Sequence, residues 1–523
     1  MLSRSEKRYL ILFAAVCAAY LAAYSVINFC GFEKFINMDM YGDTYVSRLM
    51  WEQKTLFPEN WVFGNQFYVF ATPTLAALLY GLCGSMNLAM VLATTIMMVL
   101  TIAAFVWMVR PLFGTVEIAG GVAMLLGCII GPMAVDTIQG QIFYVMCSYY
   151  ASYAITMFLV FGDYIRCVTG GGLRLRSGIA AMVLSFCTGM HSLRQTAVMI
   201  APLLLVEGIR MLALWLREKR FPQAKEWRAS LRVLACTAAN LAGVLVIRWI
   251  DPLHYTIFGE IRINSAEQLR TAIQRALSAL STLTGVRYLW EGHVLHGILG
   301  LALIALLIWA VVVLLRQEMA GEKRLLAGLL AASVVVTMMS SLVLAIQLRS
   351  IYMFAWYPLL AVGAILLLSA LRGRWRALCA LTCSLILMCN LAVSYLPCVQ
   401  RATEEGTTTE QSIAQYLTDN GYTRLYGDWY WTARIAVWTD GAVTAGVWNA
   451  KPLYPLGFIN PIDIYTAEDN AAAAYLVTAT SEDDLLSRAE ELGAAVELAA
   501  EFANGSLRLY TSDKQLMHPP GFE

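Results

Sequence analysis

FYVFATPTLAALLYGLCG, residues 67–84, is apolar enough to invite reading as a membrane span, and that reading decides the arrangement of the whole chain. It contains Thr72-Pro73-Thr74 and meets the next apolar run, 86–109, across a loop without a basic residue. It is also short of the roughly twenty apolar residues that cross a bilayer as a helix. We read it as a juxtamembrane or re-entrant helix. Counted as a span, it would put Arg110 outside and invert every later loop.

The rest of the chain is that of a polytopic membrane protein. Of its 523 residues, 59% are hydrophobic and 14% charged, far from the profile of a soluble globular domain. The net charge of +1 argues for neither nucleic acid nor an acidic partner. Apolar runs of spanning length fall near 9–30, 86–109, 115–133, 141–161, 177–192, 196–214, 233–250, 294–315, 325–348, 351–371 and 377–396. That is about eleven transmembrane helices. Threaded from a cytoplasmic N-terminus (Arg4, Lys7, Arg8), the inside loops collect Arg110, Arg166, Arg174, Arg176, Arg217, Arg232, Arg316, Lys323, Arg324, Arg372 and Arg376, as the positive-inside pattern requires. The first run lacks a small-residue cleavage pattern and reads as a retained anchor. The twelve cysteines form no CxxC pair and read as small apolar residues.

The outer face then collects 31–85, the turns around Asp136, His191 and Arg349, the loop 251–293, and everything after 397. SAEQLRTAIQRALSALSTL, 265–283, carries Arg270 and Arg275 on a helical period and suits a helix lying at the membrane interface. The last stretch changes character. Helices are expected at 407–421 and 481–493, the second opened by a capping box from Ser481 to Asp484. Strands are expected at 423–429, 443–448 and 473–479, and a closing hairpin turns at Asn504-Gly505. The expected division is a membrane domain, 1–398, and a small extracytoplasmic α/β domain, 399–523, with the C-terminus outside.

NMDMYGDTYVSRLMWEQKTLFPENW, 37–61, follows the first span. If 38–52 is helical, Asp39 and Asp43 share one face, with Tyr41 and Tyr45 nearby. One acid could take a proton from a hydroxyl while the other orients that group or a metal ion; the plain alternative is a solvated acidic loop. Asp136, Gln139, Gln141, Tyr144 and Tyr45 together offer a lining for a sugar, although tyrosines are also ordinary in an interfacial belt. Arg194 and Arg349 are lone cations against the positive-inside pattern. With His191 and Tyr352 beside them, they suit a phosphate, or else a lipid head group or an acid of the same protein. Trp429, Tyr430, Trp431 and Trp438 form either a small-domain core or a stacking platform.

These pieces resemble the GT-C membrane glycosyltransferases, the superfamily of the protein mannosyltransferases and the aminoarabinose transferases of lipid A. The 37–61 stretch stands where that family carries an acidic motif after its first span. Residues 72–114 resemble its Pro-Pro-Leu juxtamembrane helix, the glycine behind it and the following span. Asp136 falls where a second acid is found, and IQLRSIYMFAWYPLLA, 346–361, resembles its Arg-Tyr-x-Pro-Leu segment. Here the paired acids are split into Asp39 and Asp43, Thr72 replaces the first proline, and no lysine precedes it.

The resemblance, which covers about residues 9–396, implies a bacterial cytoplasmic-membrane enzyme. It would move a sugar from a polyprenyl-phosphate donor to an envelope acceptor on the outer face, with inversion. Asp43 or Asp39 would be the general base, with a lean to Asp43 from its distance to Trp61. The bilayer, the donor and the acceptor are the implied partners, nucleic acid is not, and a divalent metal ion stays open as a cofactor. The rivals are a transporter or flippase for a lipid-linked or polar substrate, and a non-enzymatic envelope protein with a ligand-binding outer domain.

Overall fold

The computed structural model describes residues 3–64, 66–130, 150–170, 175–219, 223–253, 263–316, 321–344, 348–448, 451–467 and 469–519. Among them, nine helices are long and apolar enough to cross a membrane by length and composition: Arg4–Phe35, Met86–Val109, Ala151–Val168, Leu193–Arg217, Glu226–Ile250, Val294–Arg316, Gly321–Val343, Ser350–Ala370 and Gly373–Thr403. Two of the expected spans, 115–133 and 177–192, correspond to the shorter helices Thr115–Ile130 and Leu175–His191. The disputed stretch forms a helix over Thr72–Cys83 alone, with Pro73 in its first turn and Gly84 ending it in the left-handed region. Twelve residues rise only about 18 Å, well short of the hydrocarbon thickness, so this helix is no span. The chain is a multi-pass membrane protein.

The chain divides into two compact units. The first comprises Met1–Asn28, Thr95–Trp249 and Gly259–Gln400; the second comprises Phe29–Thr94, Ile250–Phe258 and Arg401–Glu523. The C-terminal segment thus belongs with the first long loop.

In the first unit, helices meet at unusually short range. A Cβ at Gly189 would come within 2.0 Å of the Asn240 carbonyl oxygen, and one at Gly243 within 2.1 Å of that of Phe186. Leu175–His191 and Ala224–Ile250 therefore cross backbone to backbone, a packing that only small residues permit. A polar knot ties three other helices: Asn390 donates to the Gly127 carbonyl (2.7 Å) and to Tyr20 (3.2 Å), and Tyr395 donates to the Leu126 carbonyl (2.7 Å). Carboxylates within helices are met by arginines. Asp163 faces Arg232 at 3.3 Å, and Glu207 accepts from Arg210 at 2.7 and 2.8 Å, from Tyr164 at 2.6 Å and from Ser230. Leaving any of these charges unpaired in hydrocarbon would cost several kcal/mol, roughly 2.5–3.5 on insertion scales.

In the second unit, a five-stranded sheet has the order β3-β2-β5-β7-β6, with β2 Arg424–Asp428, β3 Thr444–Trp448, β5 Ala473–Thr478, β6 Val496–Phe502 and β7 Leu507–Ser512. β2 runs parallel to β3 and β5, while β7 is antiparallel to β5 and β6. Alternate residues build two cores. Tyr426, Tyr475 and Val477 pack with Leu485 on one face, and Leu425, Ala474 and Leu476 pack with Ile413 and Leu417 on the other. The helices Thr409–Asp419 and Glu482–Leu492 stand where expected, and the hairpin turns through Ala503, Asn504 and Gly505, all with positive φ. The expected capping box does not form. Ser481 turns its hydroxyl to the amide of Thr478 (3.1 Å) instead of the helix. Of the aromatic cluster, Trp431 and Trp438 pack against the second core, whereas Tyr430 is about half exposed beneath Arg434.

Candidate functional site

The acidic stretch is helical from Met38 to Gln53. Asn37 caps it by accepting from the Met40 amide at 3.0 Å, and Lys54 ends it at φ 56° while lying over the Trp51 ring. Asp39 occupies the first turn, where aligned peptide dipoles favour negative charge. Asp43 lies one turn on, on the same face, and is 1% exposed. Its Oδ1 accepts a 2.5 Å hydrogen bond from Tyr68, itself buried with Trp61, Phe63 and Val46. Tyr68 lies in the segment that precedes the Thr72–Cys83 helix, which packs against the aspartate helix. Sequence reasoning passed over Tyr68, because nothing local links residues 25 positions apart in a loop.

The other face of this helix is given to the sheet. The Tyr41 hydroxyl accepts from the amide of Ala445 at 3.0 Å, the Tyr45 hydroxyl is 3.4 Å from Thr444 Oγ1, and Arg48 Nη1 donates to the Gly441 carbonyl at 2.8 Å. Tyr45, expected on the sugar side, stacks on Tyr41 and on Trp61 with ring centroids 6.0 Å apart in each case. Burial pushes both phenols above their ordinary range, so they stay neutral at working pH. Trp61 is buried in the short strand β1, Trp61–Val62, which pairs with β4, Asn460–Pro461.

The expected phosphate group of residues belongs to the first unit. The Arg194 guanidinium lies 3.8 Å from the centre of the Tyr352 ring and donates to the Tyr150 hydroxyl at 2.9 Å. Ser192 caps the turn carrying Arg194, its hydroxyl accepting from the Arg194 amide at 3.2 Å. Tyr150 and Tyr153 pack edge to face and both meet Phe354, and buried His191 meets the Tyr153 ring at 5.0 Å. Arg349 is exposed and begins the 3-10 turn Ser350–Met353 on which Tyr352 sits. Arg194, Tyr352 and Arg349 thus share one neighbourhood, with His191 behind it. Tyr153 and Phe354 were missed as its backing, because aromatic residues beside a span read as an interfacial belt.

Asp136, Gln139, Gln141 and Tyr144 lie outside the described residues. Among the described residues, no three His, Cys, Asp or Glu side chains stand close enough to hold a metal ion.

The apolar helices and the C-terminal sheet make up an ArnT-like fold. Among the solved structures that the chain is similar to are those of ArnT from Cupriavidus metallidurans. The apo state matches with a TM-score of 0.54 at 11% identity, covering 98% of this chain and 100% of that one. The state bound to undecaprenyl phosphate matches with a TM-score of 0.55 at 12% identity, covering 98% and 99%. At such identity the likeness defines the fold. No family model matches the chain, and no curated protein matches it significantly.

Proposed function

We propose that this protein is a membrane glycosyltransferase that moves a sugar from a polyprenyl-phosphate donor to an envelope acceptor on the outer face of a bacterial cytoplasmic membrane. The observation that carries the reading is the end-to-end likeness to ArnT, one of whose structures holds undecaprenyl phosphate. Asp43 is the general base. Its carboxylate takes the proton of the acceptor hydroxyl, whose oxygen attacks the anomeric carbon from the side opposite the phosphate. The bond from that carbon to the phosphate oxygen breaks, polyprenyl phosphate leaves with the electron pair, and the configuration inverts. Fixed positive charge helps most where negative charge grows on the leaving group. Arg194, held by Tyr150 and Tyr352, supplies it, with Arg349 and His191 close by. Asp39 is the second acid of the pair. Asp136, Gln139, Gln141 and Tyr144 are the sugar-side groups, while Tyr45 is taken up by packing. On this reading 399–523 is the extracytoplasmic domain.

The test is the full-length protein in nanodiscs, supplied with a panel of undecaprenyl-phosphate-linked hexoses and pentoses labelled in the sugar, and with an envelope extract. Labelled acceptor and free undecaprenyl phosphate should appear together with at least one donor. Movement of a labelled donor across proteoliposomes, with no release of undecaprenyl phosphate, would establish the flippase instead.

A further inference from the structure

A strand at the edge of a sheet presents outward backbone donors that must find partners once buried. β3 is such an edge. Its Thr444 amide points inward, to the Thr423 carbonyl, so those of Ala445 and Val447 point away from the sheet. Two tyrosines from elsewhere in the chain meet them. Tyr465 takes the Val447 amide at 2.8 Å, and Tyr41 of the aspartate helix takes that of Ala445 at 3.0 Å. The same helix face sends Arg48 to the Gly441 carbonyl and Tyr45 to Thr444. Ile459, beside β4, packs against Gly42, where an added Cβ would come within 2.0 Å of Ile459 Cγ2. Only glycine lets the helix lie this close.

Along a helix, Tyr41 and Tyr45 stand about 200° from Asp39 and Asp43 respectively, so the docked face is opposite the acidic one. From this we infer that the edge of the C-terminal sheet is a positioning device for the aspartate helix, with Tyr41, Tyr45 and Arg48 as positioning residues that fix the direction in which Asp43 is presented. The domain is then part of the transfer machinery, although it supplies no reacting group. The consequence for transfer rests on the proposed function; the docking itself does not.

The two are separated by hydrogen–deuterium exchange on the full-length protein in nanodiscs, alongside transfer kinetics. In Tyr41→Phe the Ala445 amide loses its acceptor. Amides of 38–46 should exchange about tenfold faster, the size of one net hydrogen bond, while those of β5 and β7 keep wild-type protection. Where a donor is turned over, kcat should fall with KM for the donor unchanged, and Tyr41→Trp should restore neither. Should Tyr41→Phe loosen β5 and β7 as well, Arg48→Lys, which keeps the charge but loses the guanidinium geometry, supplies the same comparison. Wild-type exchange over 38–46 in both variants overturns the inference. Faster exchange over 38–46 in a protein that turns over no donor leaves the docking standing and removes the glycosyltransferase reading alone.

Discussion

Tyr68 donates its phenolic proton to Asp43 Oδ1 over 2.5 Å, with both side chains almost wholly buried. A hydrogen bond to a charged group contributes roughly 1.5–3 kcal/mol, and it fixes the carboxylate plane. Tyr68→Phe should lower kcat about 10- to 100-fold with little change in KM for the donor. Wild-type kcat in this variant would remove Tyr68 from the site.

The two aspartates should separate cleanly. Asp43→Asn removes the proposed base and should cost about 10²- to 10⁴-fold in turnover. Asp39→Asn mainly gives up a favourable charge in the first helical turn, about 0.3–1 kcal/mol, and should cost less than tenfold. Near-wild-type turnover in both would refute an Asp general base at either position.

Arg194 is checked by binding, with undecaprenyl phosphate as the probe. Arg194→Lys keeps the charge but loses the planar stack on Tyr352 and the hydrogen bond to Tyr150. The dissociation constant should rise about tenfold, and Tyr352→Leu should raise it 2- to 30-fold, the range expected for about 0.5–2 kcal/mol of cation–π attraction. Affinity equal to wild type in both would move the phosphate elsewhere.

The Glu482 carboxyl is held below the usual range by hydrogen bonds from Arg508, at 2.7 and 2.8 Å, and from Tyr510. A carboxyl with a lowered folded pKa stabilises above its unfolded value, near 4.3, and loses that contribution as pH falls through the folded one. Thermal unfolding of the full-length protein should therefore show Glu482→Gln melting below wild type at pH 7. The gap should close as the pH is taken below 4. A gap independent of pH would mean that packing, and not charge, is the cause.

Much of the fold was legible because its signals are repetitive. Apolar runs mark spans, basic residues mark loops, and Pro73 with Gly84 brackets a helix too short to cross. The strands and helices after residue 407 follow from period and turn chemistry. The legible part of the site was local too: Asp39 and Asp43 on one helix, and Arg349 with Tyr352 on one turn. What the sequence could not reveal depends on pairs distant along the chain. Tyr68 with Asp43, Arg194 with Tyr352 and Tyr41 with Ala445 leave no periodic trace, nor does the backbone contact of Gly189 with Asn240. Ser481 had the spacing of a capping box, yet its hydroxyl found a nearer amide at Thr478.

The partner of Tyr41 lies 404 residues further along the chain. At roughly 5–20 residues per second, synthesis reaches Ala445 about 20–80 s after it passes Tyr41. Throughout that interval the aspartate helix exists without the strand edge that orients it. A ribosome that stalls before β3 leaves a membrane-inserted chain with its acids present and their mounting absent. On the proposed function, transfer therefore waits until β3 has been made, and chains that stop short of it cannot spend lipid-linked sugar.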